Sequence, residues 1–175
     1  MTANRELEIR DGASIFLVGF MGSGKTEAGR ALAVRLGYSF LDLDAMIEER
    51  TGKSISRIFA EVGEQEFRRL ETEAIGSISG LKHSVVALGG GAYQSEENRT
   101  LLRAAGVTVW LDCPFDVCFQ RIKDEASRPL LSGEPETRKL FDQRREAYGG
   151  ADLVLETDTL APEEVAAQVI AKLTA

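Results

Sequence analysis

Two aspartates, Asp42 and Asp44, stand on alternate residues in the stretch SFLDLDAMIEE, with only Leu43 between them. Carboxylates at that spacing can share one metal ion, or one can hold a metal while the other holds a substrate. Asp44 can equally be the cap of the helix that follows. A second stretch narrows the choice. Residues 19–26 read GFMGSGKT and match G-x-x-x-x-G-K-[ST] in full. Glycines 19, 22 and 24 let successive backbone N–H groups turn inward, and the helix that follows adds the positive end of its dipole. The loop Gly22-Ser23-Gly24 then cradles phosphates, Lys25 supplies a point charge for the β- and γ-phosphates, and the Thr26 hydroxyl can ligate Mg²⁺. The expected ligand is a nucleoside triphosphate with Mg²⁺. The motif does not name what accepts the phosphate.

Other charged and glycine-rich stretches carry two readings each. Arg68 and Arg69 lie in EQEFRRLETE, where Phe67, Leu70, Ala74 and Ile75 make a helical apolar stripe. Pairs Glu64–Arg68 and Arg69–Glu73, four residues apart on a solvated face, account for them as well as a ligand does. Gly89, Gly90 and Gly91 follow an apolar strand, which suits either an ordinary turn or a ligand lying close to the backbone. Trp110 reads as core and His83 as a solvated turn residue. Cys113 and Cys118 match neither a zinc site nor a disulfide framework and read as reduced thiols.

The elements that must position these groups alternate between two kinds. Apolar runs at 14–19 and in SFL, SVVAL, VTVWL and ADLVLE read as strands. Helices are expected at 26–36, 45–50, 54–60, 64–78, 95–105, from Pro114 onward, and at 162–173. Continuous apolar strands between helices predict a parallel sheet buried on both faces, in a doubly wound α/β fold. The polar stretch 123–138 has no clear apolar period, and composition favours a surface excursion there over a mobile lid.

Bulk properties exclude several classes. A chain of 175 residues with 43% hydrophobic and 28% charged residues suits one soluble domain. Its net charge of −7 argues against nucleic acid or an anionic membrane as main partner. The start, MTANRELEIRDG, carries no apolar signal core, and no apolar run approaches membrane-spanning length. The expectation is a cytoplasmic protein.

Taken in order, GFMGSGKT, FLDLDAMIE, GEQEFRRLE, LGGG, RPLL and APEEVA resemble the shikimate kinases over nearly the whole chain. The resemblance implies a three-layer α/β/α fold with a five-stranded parallel sheet, like that of the nucleoside monophosphate kinases. It implies a single P-loop kinase domain over 1–175, with a lid at about 123–138 and a flexible stretch at 1–13. The implied reaction moves the ATP γ-phosphate to the 3-hydroxyl of shikimate. ATP, shikimate and Mg²⁺ are the expected partners of a monomer. In this reading Thr26 and Asp42 serve the metal, while Asp44 contacts the acceptor hydroxyls and takes a proton. Arg68 and Gly89–Gly91 hold the substrate's carboxylate end. Arg121 lies against adenine, Arg128 neutralises the transferring phosphoryl group, and ETDTLAPEEVA lies along the adenine edge.

Two departures stand out. Where the family often has R-x-P-L-Y, this chain has Arg144-Arg145-Glu146-Ala147-Tyr148. Arg144, four residues before the tyrosine, is the candidate second carboxylate contact, with Arg145 as the alternative. Glu27 replaces a common second hydroxyl after the P-loop threonine; it suits the helix dipole but cannot donate to a phosphate. Two other functions remain open: a kinase for another polyhydroxy acid such as gluconate, and a nucleotide-binding module without catalysis.

Overall fold

The computed structural model describes residues 12–123 and 133–175. Five strands form one fully parallel sheet: β1 (Ser14–Val18), β2 (Ser39–Asp42), β3 (Ser84–Ala87), β4 (Gly106–Asp112) and β5 (Leu153–Glu156). Their order across the sheet is β2-β3-β1-β4-β5. Seven helices complete the described fold: α1 (Lys25–Leu36), α2 (Leu43–Thr51), α3 (Ile55–Ile78), α4 (Glu96–Ala105), α5 (Phe115–Ile122), α6 (Glu134–Tyr148) and α7 (Pro162–Leu173).

The period-two alternation of a strand explains the layers. In β1, Ile15 and Leu17 face a core shared with α1 and α7, whereas Phe16 and Val18 face the core under the other helices. All five β1 residues are buried, which is why the strand reads as one continuous apolar run. None of the described helices is long and apolar enough to cross a membrane.

Two local features position the site. The expected break between helices 54–60 and 64–78 appears as a kink inside α3, at Gly63 with φ 81° and ψ 175°. A side chain is disfavoured in that conformation, so glycine permits the bend. Phe59 and Phe67 then pack across it, ring centroids 4.7 Å apart.

The second feature is the start of α6. Residues 134–138, assigned to a lid, are the first turns of α6. Of the rest of that segment, 124–132 with Arg128 lies outside the described residues, as does 1–11 of the N-terminal stretch. The face of α6 that turns inward carries Thr137, Phe141, Arg144 and Tyr148, at helical spacing. Two of those four are polar, so hydrophobic periodicity did not mark the helix.

Candidate active site

The phosphate loop sits where β1 ends and α1 begins, at the carboxyl edge of the sheet, where open α/β folds bind ligands. Gly22 and Gly24 adopt φ 78° and 89°. A methyl group on Gly22 would meet the Cys118 carbonyl oxygen at 2.7 Å, so α5 packs directly against the loop. The buried Lys25 head is drawn into the loop, donating to the Gly19 and Phe20 carbonyls at 2.8 and 2.9 Å. Buried Ser23 Oγ has no hydrogen-bond partner among the described residues.

Asp42 ends β2 and does two things. Its Oδ1 accepts the Ala45 N–H at 3.2 Å and caps α2; its Oδ2 accepts the Thr26 hydroxyl at 3.0 Å. The helix cap proposed for Asp44 therefore belongs to Asp42. The convergence of Thr26 Oγ1 and Asp42 Oδ2 fits Mg²⁺, a hard cation that takes one or two protein oxygens and completes its shell with phosphates and water. No cluster of three or more His, Cys, Asp or Glu suited to a metal occurs among the described residues.

Two cavities meet at Asp44. The larger, about 500 Å³, is lined by Lys25, Thr26, Asp42 and Arg121. The smaller, about 60 Å³, is lined by Phe59, Arg68, Glu71, Gly91 and Arg144, and has room for a few waters or one small polar group. Met21, Asp44, Gly89 and Gly90 line both.

The three successive glycines explain how so much charge converges. A methyl group on Gly89 would lie 2.8 Å from Asp44 Oδ1 and 3.2 Å from Glu71 Oε2. One on Gly90 would lie 3.0 Å from an Arg144 terminal nitrogen, and one on Gly91 only 2.5 Å from the Arg68 guanidinium. Each glycine makes room for a different charged head.

Electrostatics in the small cavity are set by burial. Glu71 is 1% exposed and paired with Arg68 at 2.9 Å. Burial pushes its carboxyl up to about 7, against the pull of Arg68, and the nearby Asp44 charge pushes it further. Burial likewise lowers the pKa of the Arg144 guanidinium, whose carbon lies 5.8 Å from the centre of the Phe20 ring. Arg144 makes no ion pair with the described residues.

Arg145 points elsewhere, donating to both Asp112 oxygens at 2.6 and 3.0 Å. The bland pairs also form: Arg68 with Glu64 at 3.3 Å, and Arg69 with Glu66 and Glu73 on the exposed face. So Arg68 both pairs along its helix and borders the cavity, while Arg69 borders neither cavity. Trp110 is buried in the core and His83 is exposed, at φ 52°, against Tyr38.

Arg121 donates to the Gly22 carbonyl at 2.9 Å. It also borders a separate 240 Å³ cavity beside the phosphate loop, with Thr157, Leu160 and Pro162 from the ETDTLAPEEVA stretch. Glu27 is exposed and borders both nucleotide-side cavities.

Glu71 received no role from the sequence. The available signal was its place in F-R-x-x-E, three residues after Arg68 and so on the same helical face.

Comparison with known proteins adds a second line of observation. The shikimate kinase family profile matches residues 21–174. A shikimate kinase of Geobacter sulfurreducens is 48% identical over 162 residues, covering 91% of this chain and 90% of the relative. One of Persephonella marina is 39% identical, covering 91% and 98%. The solved structure of a shikimate kinase from Acinetobacter baumannii in complex with shikimate superposes with a TM-score of 0.87 at 38% identity, covering 90% of each chain.

Proposed function

The chain belongs to the shikimate kinase family, and on that premise we propose how its two cavities divide the work. The protein is an ATP-dependent kinase that moves the γ-phosphate of ATP to the 3-hydroxyl of shikimate, giving shikimate 3-phosphate and ADP. Phosphoryl transfer asks little covalent chemistry of a protein; alignment and charge stabilisation do most of it.

The observation that carries the division is Asp44, standing where the phosphate-side cavity meets the arginine-lined one. In this reading ATP occupies the larger cavity. The Gly22-Ser23-Gly24 backbone holds its phosphates, and Lys25 exchanges its two loop carbonyls for phosphate oxygens. Arg121 and the 157–162 loop receive the adenine. Thr26 and Asp42 would hold Mg²⁺, which would supply positive charge against the phosphates.

Shikimate spans the wall between the cavities. Arg68 and Arg144 fix its carboxylate, to which a planar guanidinium fork is matched. The Gly89–Gly91 backbone lies against it. Asp44 is left beside the hydroxyl that attacks, as an acceptor that orients it and takes its proton. Arg128, within the proposed 123–138 lid, is assigned to the transferring phosphoryl group on family resemblance alone.

We extend the reading to one domain over 1–175, acting as a cytoplasmic monomer. Among the described residues, the exposed large apolar side chains are Val34, Val62, Leu81 and Val154. Cys113 and Cys118 are free thiols, which suits a reducing compartment.

A coupled ADP-release assay across shikimate, gluconate and nucleoside monophosphates tests the function. Turnover with shikimate well above the others is the expected result. Shikimate giving no rate above the water background would sink the reading.

A further inference from the structure

The two adjacent arginines of α6 do different things, and one depends on the other. Arg144 is 5% exposed and its head packs against Phe20 without an ion pair among the described residues. Among the described residues, no ion pair fixes where its guanidinium sits. Its position follows from where the helix places its backbone.

One residue on, Arg145 forks over both oxygens of Asp112, the last residue of β4. The same guanidinium lies over Trp110 and Phe141, 5.0 and 5.4 Å from their ring centres. Asp112 is well anchored: it pairs with Glu156 of β5, and its carbonyl accepts the Thr157 N–H at 3.1 Å. A bidentate fork onto a strand end fixes both distance and rotation, which a single contact does not. The other ties near Arg144 are a 3.3 Å bond from Gln94 Nε2 to its carbonyl and the Tyr148 hydroxyl on the Gly90 carbonyl.

We propose that Arg145 and Asp112 are a positioning pair for the acid-binding end of the site, setting through α6 where the Arg144 guanidinium stands. The inference rests on the reading of Arg144 as a carboxylate contact. Such a contact needs its supporting residues held to within a fraction of an ångström, and a shift of about 1 Å is costly. The half-exposed Arg145 contributes little as a surface ion pair, so its removal leaves a folded helix with a loosened register.

Steady-state kinetics of Arg145→Met, Asp112→Asn and the double variant test this. Each is expected to raise shikimate KM about tenfold, with ATP KM and kcat within about threefold of the parent. The double variant is expected to be no worse than either single one, because both remove the same contact. Arg145→Lys, which keeps the charge but not the fork, should recover only part of the loss.

Unchanged shikimate KM in folded variants, or equal rises in both KM values, overturns the proposal. Should Arg145→Met fail to fold, isosteric Asp112→Asn carries the same test. Arg144→Lys in the same assay separates the two ideas. If it raises shikimate KM while the pair variants do not, positioning fails and the carboxylate reading stands. If it leaves shikimate KM unchanged, the carboxylate reading fails and the proposal with it.

Discussion

The two cavities that meet at Asp44 are built by opposite strategies. The phosphate side is largely local: eight consecutive residues supply the loop, the lysine and the threonine, with Asp42 added from the neighbouring β2. The arginine-lined side gathers Asp44 from α2, Arg68 and Glu71 from α3, three glycines after β3, and Arg144 from α6. Local backbone geometry suits a ligand with many equivalent oxygens. Selecting one hydroxyl and one carboxylate on a small ring requires side chains from several directions, at the cost of burying charge.

The largest effect should come from the local side. Lys25→Met removes the point charge within the loop and is expected to lower kcat about a thousandfold, read in the coupled assay. Retained turnover would mean that the loop backbone alone suffices. Asp44→Asn tests the junction: kcat should fall about a hundredfold while ATP binding persists. Unchanged turnover would confine Asp44 to a structural place in the first turn of α2.

On the distributed side, Gly91→Ala pushes against the end of a flexible side chain, Arg68, rather than against backbone. The fold should tolerate it, and shikimate KM should rise about tenfold as the guanidinium is displaced.

The smallest effect is on stability. The Glu71 carboxyl is raised from 4.5 to about 7 in the folded protein, so the native state binds more protons than the unfolded chain between those values. Its contribution is fully present below pH 4.5 and is lost as pH rises through 7. Relative to Glu71→Gln, the parent should lose roughly 1–3 kcal/mol over that window, measured by urea unfolding. A parallel pH dependence in the two proteins would contradict the burial of this carboxylate beside Asp44.

The same contrast decides what the sequence made legible. The phosphate loop could be read because its chemistry is contiguous and its glycines and lysine are diagnostic. The centre of the sheet was readable because β1, β3 and β4 are buried almost throughout and so are mainly apolar runs. The helix α6 was not, because its buried face spends two of four positions on Thr137 and Arg144.

Spacing alone left helix capping open as a role for Asp44. The structure decides it: Asp42 Oδ1 accepts the Ala45 N–H, while its other oxygen accepts from Thr26 of α1. Sequence named Arg144 with Arg145 as the alternative; what separates their surroundings is Asp112 at the end of β4, which holds Arg145 while Arg144 borders the small cavity. Glu71 drew no role from the sequence, because only the packing of α3 buries it against the site.

Crossed titration calorimetry tests the division most directly. Shikimate and a non-hydrolysable ATP analogue with Mg²⁺ are each titrated into Lys25→Met and Arg144→Ala. Lys25→Met should bind shikimate like the parent and lose nucleotide affinity. Arg144→Ala should bind nucleotide like the parent and lose shikimate affinity about thirtyfold. Either variant, while folded, losing both ligands alike would contradict two cavities with separate tasks.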